Sequence, residues 1–277
     1  MPREIRKFTL RTGAVVEAWI GGKAGAGPPL LMIPGVSGNK ELLDCVFAPL
    51  ARDRRVIVID LSPVFERGVS ILESAVRDAR EIVEALRLDE FDLLGQSFGG
   101  LIAAHLTRQP PSSVRKLILA GPAVVPSSWA APAILARWLS AGAMIRVCPR
   151  RWRPGLATVI RHSGGFPIEP ELEGQGLEDL VTRVQVLRVV PLLRRLLSIH
   201  GVSWEKELAG VEAPVLVIEG SREAALLPPK LLAFFDQRPN TKYVELAGGH
   251  MPFLVRPEKF VAIVDAFLDQ SRAVAQR

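Results

Sequence analysis

The ten residues Phe91-Asp92-Leu93-Leu94-Gly95-Gln96-Ser97-Phe98-Gly99-Gly100 constrain this chain more than any other stretch. An apolar run ends in the pattern G-x-S-x-G, and a segment rich in small residues follows. The five-residue pattern alone is weak, since glycine and serine are so common that it arises by chance in on the order of one chain in ten of this length. Its context carries the information. A strand that stops at Gly95 and a helix that begins at Phe98 put the serine on a tight strand-to-helix turn, with its hydroxyl raised above the sheet edge. The flanking glycines leave room for strand and helix to pass close to one another. A serine capping the helix of an ordinary βα loop is the other reading of the same residues.

The chain has 277 residues, enough for one large α/β domain or a domain with an insertion. Its 35 basic and 29 acidic residues leave a net charge of +6, spread without a block of like charge. A nucleic-acid binder would gather its basic residues into a stripe, so no nucleic-acid partner is expected. Cys45 and Cys148 are the only cysteines. Two thiols without a C-x-x-C spacing build neither a disulfide framework nor a structural zinc site. Free thiols fit a reducing compartment. The N-terminus MPREIRKFTL has no apolar run of signal-peptide length, and no stretch approaches the 18 apolar residues of a membrane span. A cytoplasmic protein with no integral membrane segment is the expectation, with oligomeric state left open.

Strands and helices alternate through the first part of the chain. Ile5–Leu10 and Val15–Ile20 read as a hairpin through Thr12-Gly13. Pro29–Ile33 and Arg55–Asp60 are continuous apolar runs, as strands buried on both faces require. Glu41–Leu50 reads as a short helix. Ser70–Leu86 carries Ile71, Ala75, Ala79, Ile82, Val83 and Leu86 at helical spacing. The strand that stops at Gly95, a Gly99–Thr107 helix and a strand at Lys116–Ala120 follow. From about Pro122 to Gly210 the pattern turns helical with proline interruptions, with candidates at Trp129–Val147, Leu177–Val189 and Pro191–Ile199. The alternation then resumes with a strand at Pro214–Glu219, a helix at Pro229–Phe235, a strand at Thr241–Leu246 and a helix at Pro257–Leu268. One α/β core (1–121 and 211–277) interrupted by a helical insertion (122–210) accounts for this order.

A serine hydroxyl needs an adjacent base to act as a nucleophile at neutral pH. Four histidines are available. His105 lies eight residues past Ser97 on the same helix, roughly 12 Å along its axis, and reads as structural. His162 and His200 fall in the insertion and read as exposed or capping. His250 follows the last strand, in Gly248-Gly249-His250-Met251-Pro252-Phe253, at the carboxyl edge of the sheet, and is the expected base. A carboxylate must orient it. Glu223, in the loop after the 214–219 strand, is favoured over Glu219, whose direction at a strand end is less defined. Two N–H donors must meet the oxyanion. Phe98, directly after the nucleophile, supplies one. Val36, in Pro34-Gly35-Val36-Ser37-Gly38, is the candidate for the other.

With these segments in hand, the chain resembles the α/β-hydrolase superfamily, in the branch with a helical cap. GQSFGG, PLLMIPG, PVLVIEGSRE and GGHMPFLVRPE occur in family order and spacing over nearly the whole chain. The resemblance implies a mostly parallel, eight-stranded sheet flanked by helices, with the cap inserted after the sixth strand. It also implies the nucleophile–acid–base order Ser97, Glu223, His250, and no metal or organic cofactor. Two departures stand out. Pro34 precedes Gly35 where the family usually has histidine, and Glu223 stands where the family usually has aspartate. The serine sets the chain apart from members that open epoxides or displace halides, which use aspartate at the elbow.

The expected activity is hydrolysis of small to medium apolar carboxylic esters through an acyl-enzyme. A carbon–carbon bond hydrolase on the same machinery and a non-catalytic binding protein on the same fold are the rival readings. Trp129, Trp138, Trp152 and Trp204 lie in or beside the insertion. They read as packing for the cap, with Trp129 and Trp138 the candidates to line an acyl pocket. Arg146, Arg150, Arg151 and Arg153 form the one dense basic cluster, read as a solvated surface ahead of an attractor for a carboxylated substrate or a membrane surface.

Overall fold

Continuous apolar runs become the middle of a sheet. In the computed structural model, which describes residues 3–23, 27–108, 113–122, 148–152, 155, 189–225 and 227–275, four strands are buried at every position. These are β3 (Leu30–Ile33), β4 (Val56–Ile59), β5 (Phe91–Gln96) and β7 (Val215–Gly220). With β1 (Glu4–Thr9), β2 (Val15–Gly21), β6 (Val114–Ala120) and β8 (Thr241–Leu246) they form one eight-stranded sheet in the order β1-β2-β4-β3-β5-β6-β7-β8. The β1–β2 hairpin is antiparallel, and β2 joins β4 antiparallel. Every other pairing is parallel.

The period of two along each strand sorts side chains to two cores. Leu31, Ile33, Ile57, Ile59, Leu93, Leu117, Leu119, Val215 and Val217 face one layer of helices. Leu30, Met32, Val56, Val58, Leu94, Ile118, Leu216 and Ile218 face the other. On the first face lie α2 (Ile71–Ala85), α3 (Phe98–Thr107), α4 (Val189–Ser198), α5 (Trp204–Glu207) and, beyond the short helix α6 (Ser221–Ala224), α7 (Pro229–Gln237). On the second lie α1 (Asp44–Leu50), the short α8 (Pro252–Val255) and α9 (Pro257–Ala275). Two-sided burial is why the central strands lack the apolar/polar alternation of a half-exposed sheet.

Local chemistry sets the ends of these elements. Ser70 caps α2 by accepting from the Glu73 N–H, while the Glu73 side chain accepts from the Ser70 N–H, so two otherwise orphaned donors are met. The expected helix over 41–50 is two pieces: a 3₁₀ turn at Lys40–Leu43 runs into α1. The expected closing helix starts at Pro257 but runs to Ala275, and α8 precedes it as a separate turn. Pro257 has no N–H to continue the α8 ladder and opens the new helix at its first position. In the interval between β6 and β7, the Pro191–Ile199 expectation corresponds to α4, which begins two residues earlier. Pro191 falls in its first turn, where a missing N–H costs little. The other helical candidates of the interval, Trp129–Val147 and Leu177–Val189, lie outside the described residues except for Val189. No helix among the described residues is long and apolar enough to cross a membrane.

Strand order locates the site. The chain passes from β3 outward to β4, then returns to lay β5 on the opposite side of β3. The loops leaving β3 and β5 therefore diverge, opening a crevice at the carboxyl ends of two adjacent strands. Two glycines make the turn from β5 into α3 fit there. A Cβ at Gly95 would strike the Gly99 carbonyl, and one at Gly99 would strike the carbonyls of Ile33 and Pro34. Gly99→Ala should therefore destabilise the protein by about 1–3 kcal/mol or more, since backbone rather than a mobile side chain must yield. Urea unfolding midpoints of the two proteins check this.

Candidate active site

Ser97 sits at that crevice in a backbone conformation that side chains avoid. Its φ of 52° and ψ of −118° lie outside the common regions for an L-residue. Such a conformation costs on the order of 1–3 kcal/mol and persists only where the surroundings enforce it. The enforcement is visible: the Ser97 N–H donates to the Ala120 carbonyl at the end of β6 (3.1 Å), and the Ser97 carbonyl accepts from the Gly100 N–H (2.8 Å). The residue is 3 % exposed. The alternative reading as a helix cap fails, because the Ser97 side chain makes no capping hydrogen bond to α3.

The loop leaving β3 folds over this turn. Gly38 N–H donates to the Gly35 carbonyl (2.9 Å), closing a four-residue turn. Gly35 presses so close that a Cβ there would meet the Gln96 side chain and stand 3.1 Å from the Ser97 Cβ. The Val36 N–H, on the peptide whose carbonyl closes the turn, has no hydrogen-bond partner among the described residues. Phe98 is the first residue of α3, so its N–H has no carbonyl four residues back within the helix. Val36 and Phe98 thus bring two uncommitted backbone donors to the neighbourhood of Ser97.

On the other side, β7 leads directly into α6, and Glu223 stands on that short helix rather than in an open loop. His250 Nδ1 lies 2.7 Å from Glu223 Oε2. The two segments interlock. A Cβ at Gly220 would strike the carbonyls of Gly248 and Gly249, and the Arg222 N–H donates to the Gly248 carbonyl (3.1 Å). Gly121, with φ of 54°, rests on the His250 backbone carbonyl, and a Cβ there would lie 3.5 Å from His250 Nδ1. Residues 120–121 thus sit between the two partners: Ala120 receives the Ser97 N–H and Gly121 carries His250.

Glu219, the competing carboxylate, is fully buried at the end of β7. Its Oε1 accepts from the Gly220 N–H (3.1 Å), and its Oε2 has no hydrogen-bond partner among the described residues. Burial, with repulsion from the Glu223 carboxylate second, pushes its pKa up to about 8. A strand-end side chain follows the strand's alternation into the interior, while Glu223, one helical turn on, reaches the imidazole.

The remaining histidines and tryptophans stand apart. His105 Nε2 pairs with Glu207 Oε2 at 2.7 Å, tying α3 to α5, and His200 is exposed. Trp204 is buried against Phe235, with its ring also close to Gly100, in a packing role. Trp152 is exposed under the Arg151 guanidinium. His162, Trp129, Trp138, Arg146 and Arg153 lie outside the described residues. No disulfide joins Cys45 and Cys148, and burial pushes the Cys45 thiol up to about 12. Among the described residues no group of three or more His, Cys, Asp or Glu side chains is placed to hold a metal. One buried charge beside the site carries no motif. Arg195 of α4 is 2 % exposed and donates to the Val36 carbonyl (2.9 Å) and the Ser62 carbonyl (2.6 Å). The only signal for it is position: it shares a helical face with Leu192 and Ile199, both buried.

Known proteins share this arrangement of elements. A family model described as the alpha/beta hydrolase fold matches residues 28–144. A poly(3-hydroxyalkanoate) depolymerase of Ectopseudomonas oleovorans is 28% identical over 262 residues, covering 88% of this chain and 85% of that protein. A pimeloyl-[acyl-carrier protein] methyl ester esterase of Aeromonas hydrophila is 27% identical over 268 residues, covering 88% of this chain and 96% of the other. An esterase from Exiguobacterium antarcticum has the same fold, with a TM-score of 0.71 at 18% identity over 95% of this chain and 99% of its own.

The state of Glu219 has a measurable consequence. Its folded pKa is raised, so between the unfolded value near 4.5 and about 8 the folded state binds the extra proton. This contribution to stability is full below the unfolded pKa and is lost as pH rises through the folded one. Glu219→Gln removes it. Urea midpoints should show the variant gaining on the wild type as pH rises from 5 to 8, with no further gain above 9.

Proposed function

Because the chain belongs to the α/β-hydrolase superfamily of hydrolytic enzymes, we propose that it cleaves small to medium apolar carboxylic esters through an acyl-enzyme on Ser97. The observation that carries this reading is the 2.7 Å contact between His250 Nδ1 and Glu223 Oε2, at the sheet edge where Ser97 is held in its strained turn. A carboxylate on Nδ1 fixes that nitrogen as the N–H and leaves Nε2 as the basic one.

In this scheme the Ser97 Oγ attacks the ester carbonyl carbon while His250 Nε2 takes the hydroxyl proton. The negative charge that develops on the former carbonyl oxygen is received by the Val36 and Phe98 N–H groups, and Glu223 stabilises the imidazolium without accepting its proton. Collapse of the tetrahedral species breaks the bond to the alkoxy oxygen, which leaves with the proton from His250. Water then attacks the acyl-enzyme, giving one proton to His250 Nε2. That proton returns to Ser97 Oγ as the acid departs. No metal or organic cofactor enters the scheme. Residues 1–121 and 211–277 form the catalytic core in this reading, and residues 122–210 the cap.

An ester as substrate draws support from the methyl ester esterase among the relatives. Serine rather than aspartate at the elbow supports acyl transfer, since a carboxylate nucleophile would form an ester intermediate with an alkyl carbon instead. The buried, raised-pKa Glu219 supports Glu223 as the orienting acid, because a carboxyl neutral at pH 7 cannot stabilise an imidazolium.

A fluorophosphonate should label the wild type at Ser97 by mass mapping, and Ser97→Ala and His250→Ala should abolish the label. With p-nitrophenyl butyrate, Glu223→Gln should lower kcat by about 10²–10⁴-fold, while Glu219→Gln keeps it within about tenfold. A folded but unlabelled wild type would favour a non-catalytic binding protein. Preferential turnover of a vinylogous diketone would favour carbon–carbon bond hydrolysis.

A further inference from the structure

A cation almost never lies fully buried unless an anion or a set of acceptors meets it. Arg195 is 2 % exposed, and among the described residues it forms no direct ion pair. Its two terminal nitrogens donate to backbone carbonyls of different segments: Nη1 to Val36 (2.9 Å) and Nη2 to Ser62 (2.6 Å). Its Nε, also buried, has no hydrogen-bond partner among the described residues. Asp78 of α2 and Asp60 past β4 attract it only from a distance, and burial dominates, lowering its pKa to about 10. A leucine at this position would leave both carbonyls to other partners and spare the desolvation of a charge. The arrangement needs a reason beyond packing.

Both acceptors belong to the segments that frame the oxyanion side of the site. Gly35–Gly38 is a turn closed by its outer hydrogen bond, Gly38 N–H to Gly35 carbonyl. That bond fixes the Gly35–Val36 peptide, and with it the Val36 N–H, relative to Gly38, while the central Val36–Ser37 peptide and the turn as a whole are left to be held from outside. The carbonyl of this central peptide is the one Arg195 holds. The second carbonyl, Ser62, follows Leu61, whose N–H donates to the Gly38 carbonyl (2.9 Å). One guanidinium therefore braces the turn against the segment that already anchors its far end. Gly38, at φ of 73°, has no Cβ where the Arg195 guanidinium lies. A planar fork with donors on diverging axes can span two carbonyls in this way; an ammonium on a flexible stem has no such preset spacing.

We propose that Arg195 is a positioning residue of the oxyanion hole, delivered by α4 to lock the Gly35–Gly38 turn so that the Val36 N–H meets the developing oxyanion. The proposal rests on the acyl-transfer reading above. It assigns α4 a role in the chemical step, distinct from binding the acyl group.

The test compares wild type, Arg195→Ala and Arg195→Lys with p-nitrophenyl butyrate, a trifluoromethyl ketone that forms a tetrahedral adduct, and the matching methyl ketone. Losing one oxyanion donor outright costs about 10²–10³-fold in kcat, and a misplaced donor costs less. Arg195→Ala should lower kcat about 10–100-fold with KM within threefold. Affinity for the trifluoromethyl ketone should fall by the same factor while affinity for the methyl ketone holds. Arg195→Lys should fall between the two proteins, and it serves as the test if Arg195→Ala does not fold. A brace that serves only folding would lower the melting temperature and leave the ratio of the two ketone affinities unchanged. That result, or a loss confined to KM, overturns the proposal while Ser97 labelling of the wild type still stands. A wild type that neither labels nor turns over overturns the acyl-transfer reading, and the role of Arg195 with it.

Discussion

Everything at the carboxyl edge of this sheet depends on how closely α3 approaches β5 and β3. The helix can start one residue after Ser97 only because Gly95 and Gly99 carry no side chains at the crossing. The proximity turns residue 97 into a backbone conformation that would relax in an open loop. It also sets the Gly35 turn against the Ser97 Cβ. Three loops then close on the same point by backbone contact: the turn after β3, residues 120–121 after β6, and the His250 loop after β8. Side chains such as Glu223 and Arg195 are added to a frame already set by main-chain packing.

The parts of the fold that follow from bulk hydrophobicity were readable in the sequence. A strand covered on both faces must be apolar throughout, so β3, β4, β5 and β7 announced themselves as runs such as PLLMI and PVLVIE. The hinge of the site was readable for a different reason. Glycine at 95 and 99 is a steric demand, and steric demands leave a mark in sequence. His250 could be picked from four histidines because the others fall on a helix or in the interval between β6 and β7. The meeting of its ring with Glu223 is a matter of short-range geometry, since α6 turns that side chain back toward the strand end.

Arg195 was not readable, and the reason is physical. Its partners are the carbonyls of Val36 and Ser62, groups every residue possesses, at sequence distances of 159 and 133 residues. A charge satisfied by another charge leaves a complementary letter somewhere in the chain, whereas a charge satisfied by main chain leaves none. The run PLLRRLLSI marks a helix, and beyond the helical face that Arg195 shares with Leu192 and Ile199 nothing in the letters separates it from the surface Arg194. Element ends show the same limit: Pro257 split α8 from α9 as proline must, but nothing in the letters set how far α9 would run.

The twisted backbone at residue 97 sets durability and reactivity against each other at a single position. Any glycine there would adopt the same dihedral angles without a clash, and the chain would be tougher for the exchange. Selection for robustness alone would therefore favour that exchange, and under the proposed acyl transfer the oxygen atom is what the strained bend is kept for.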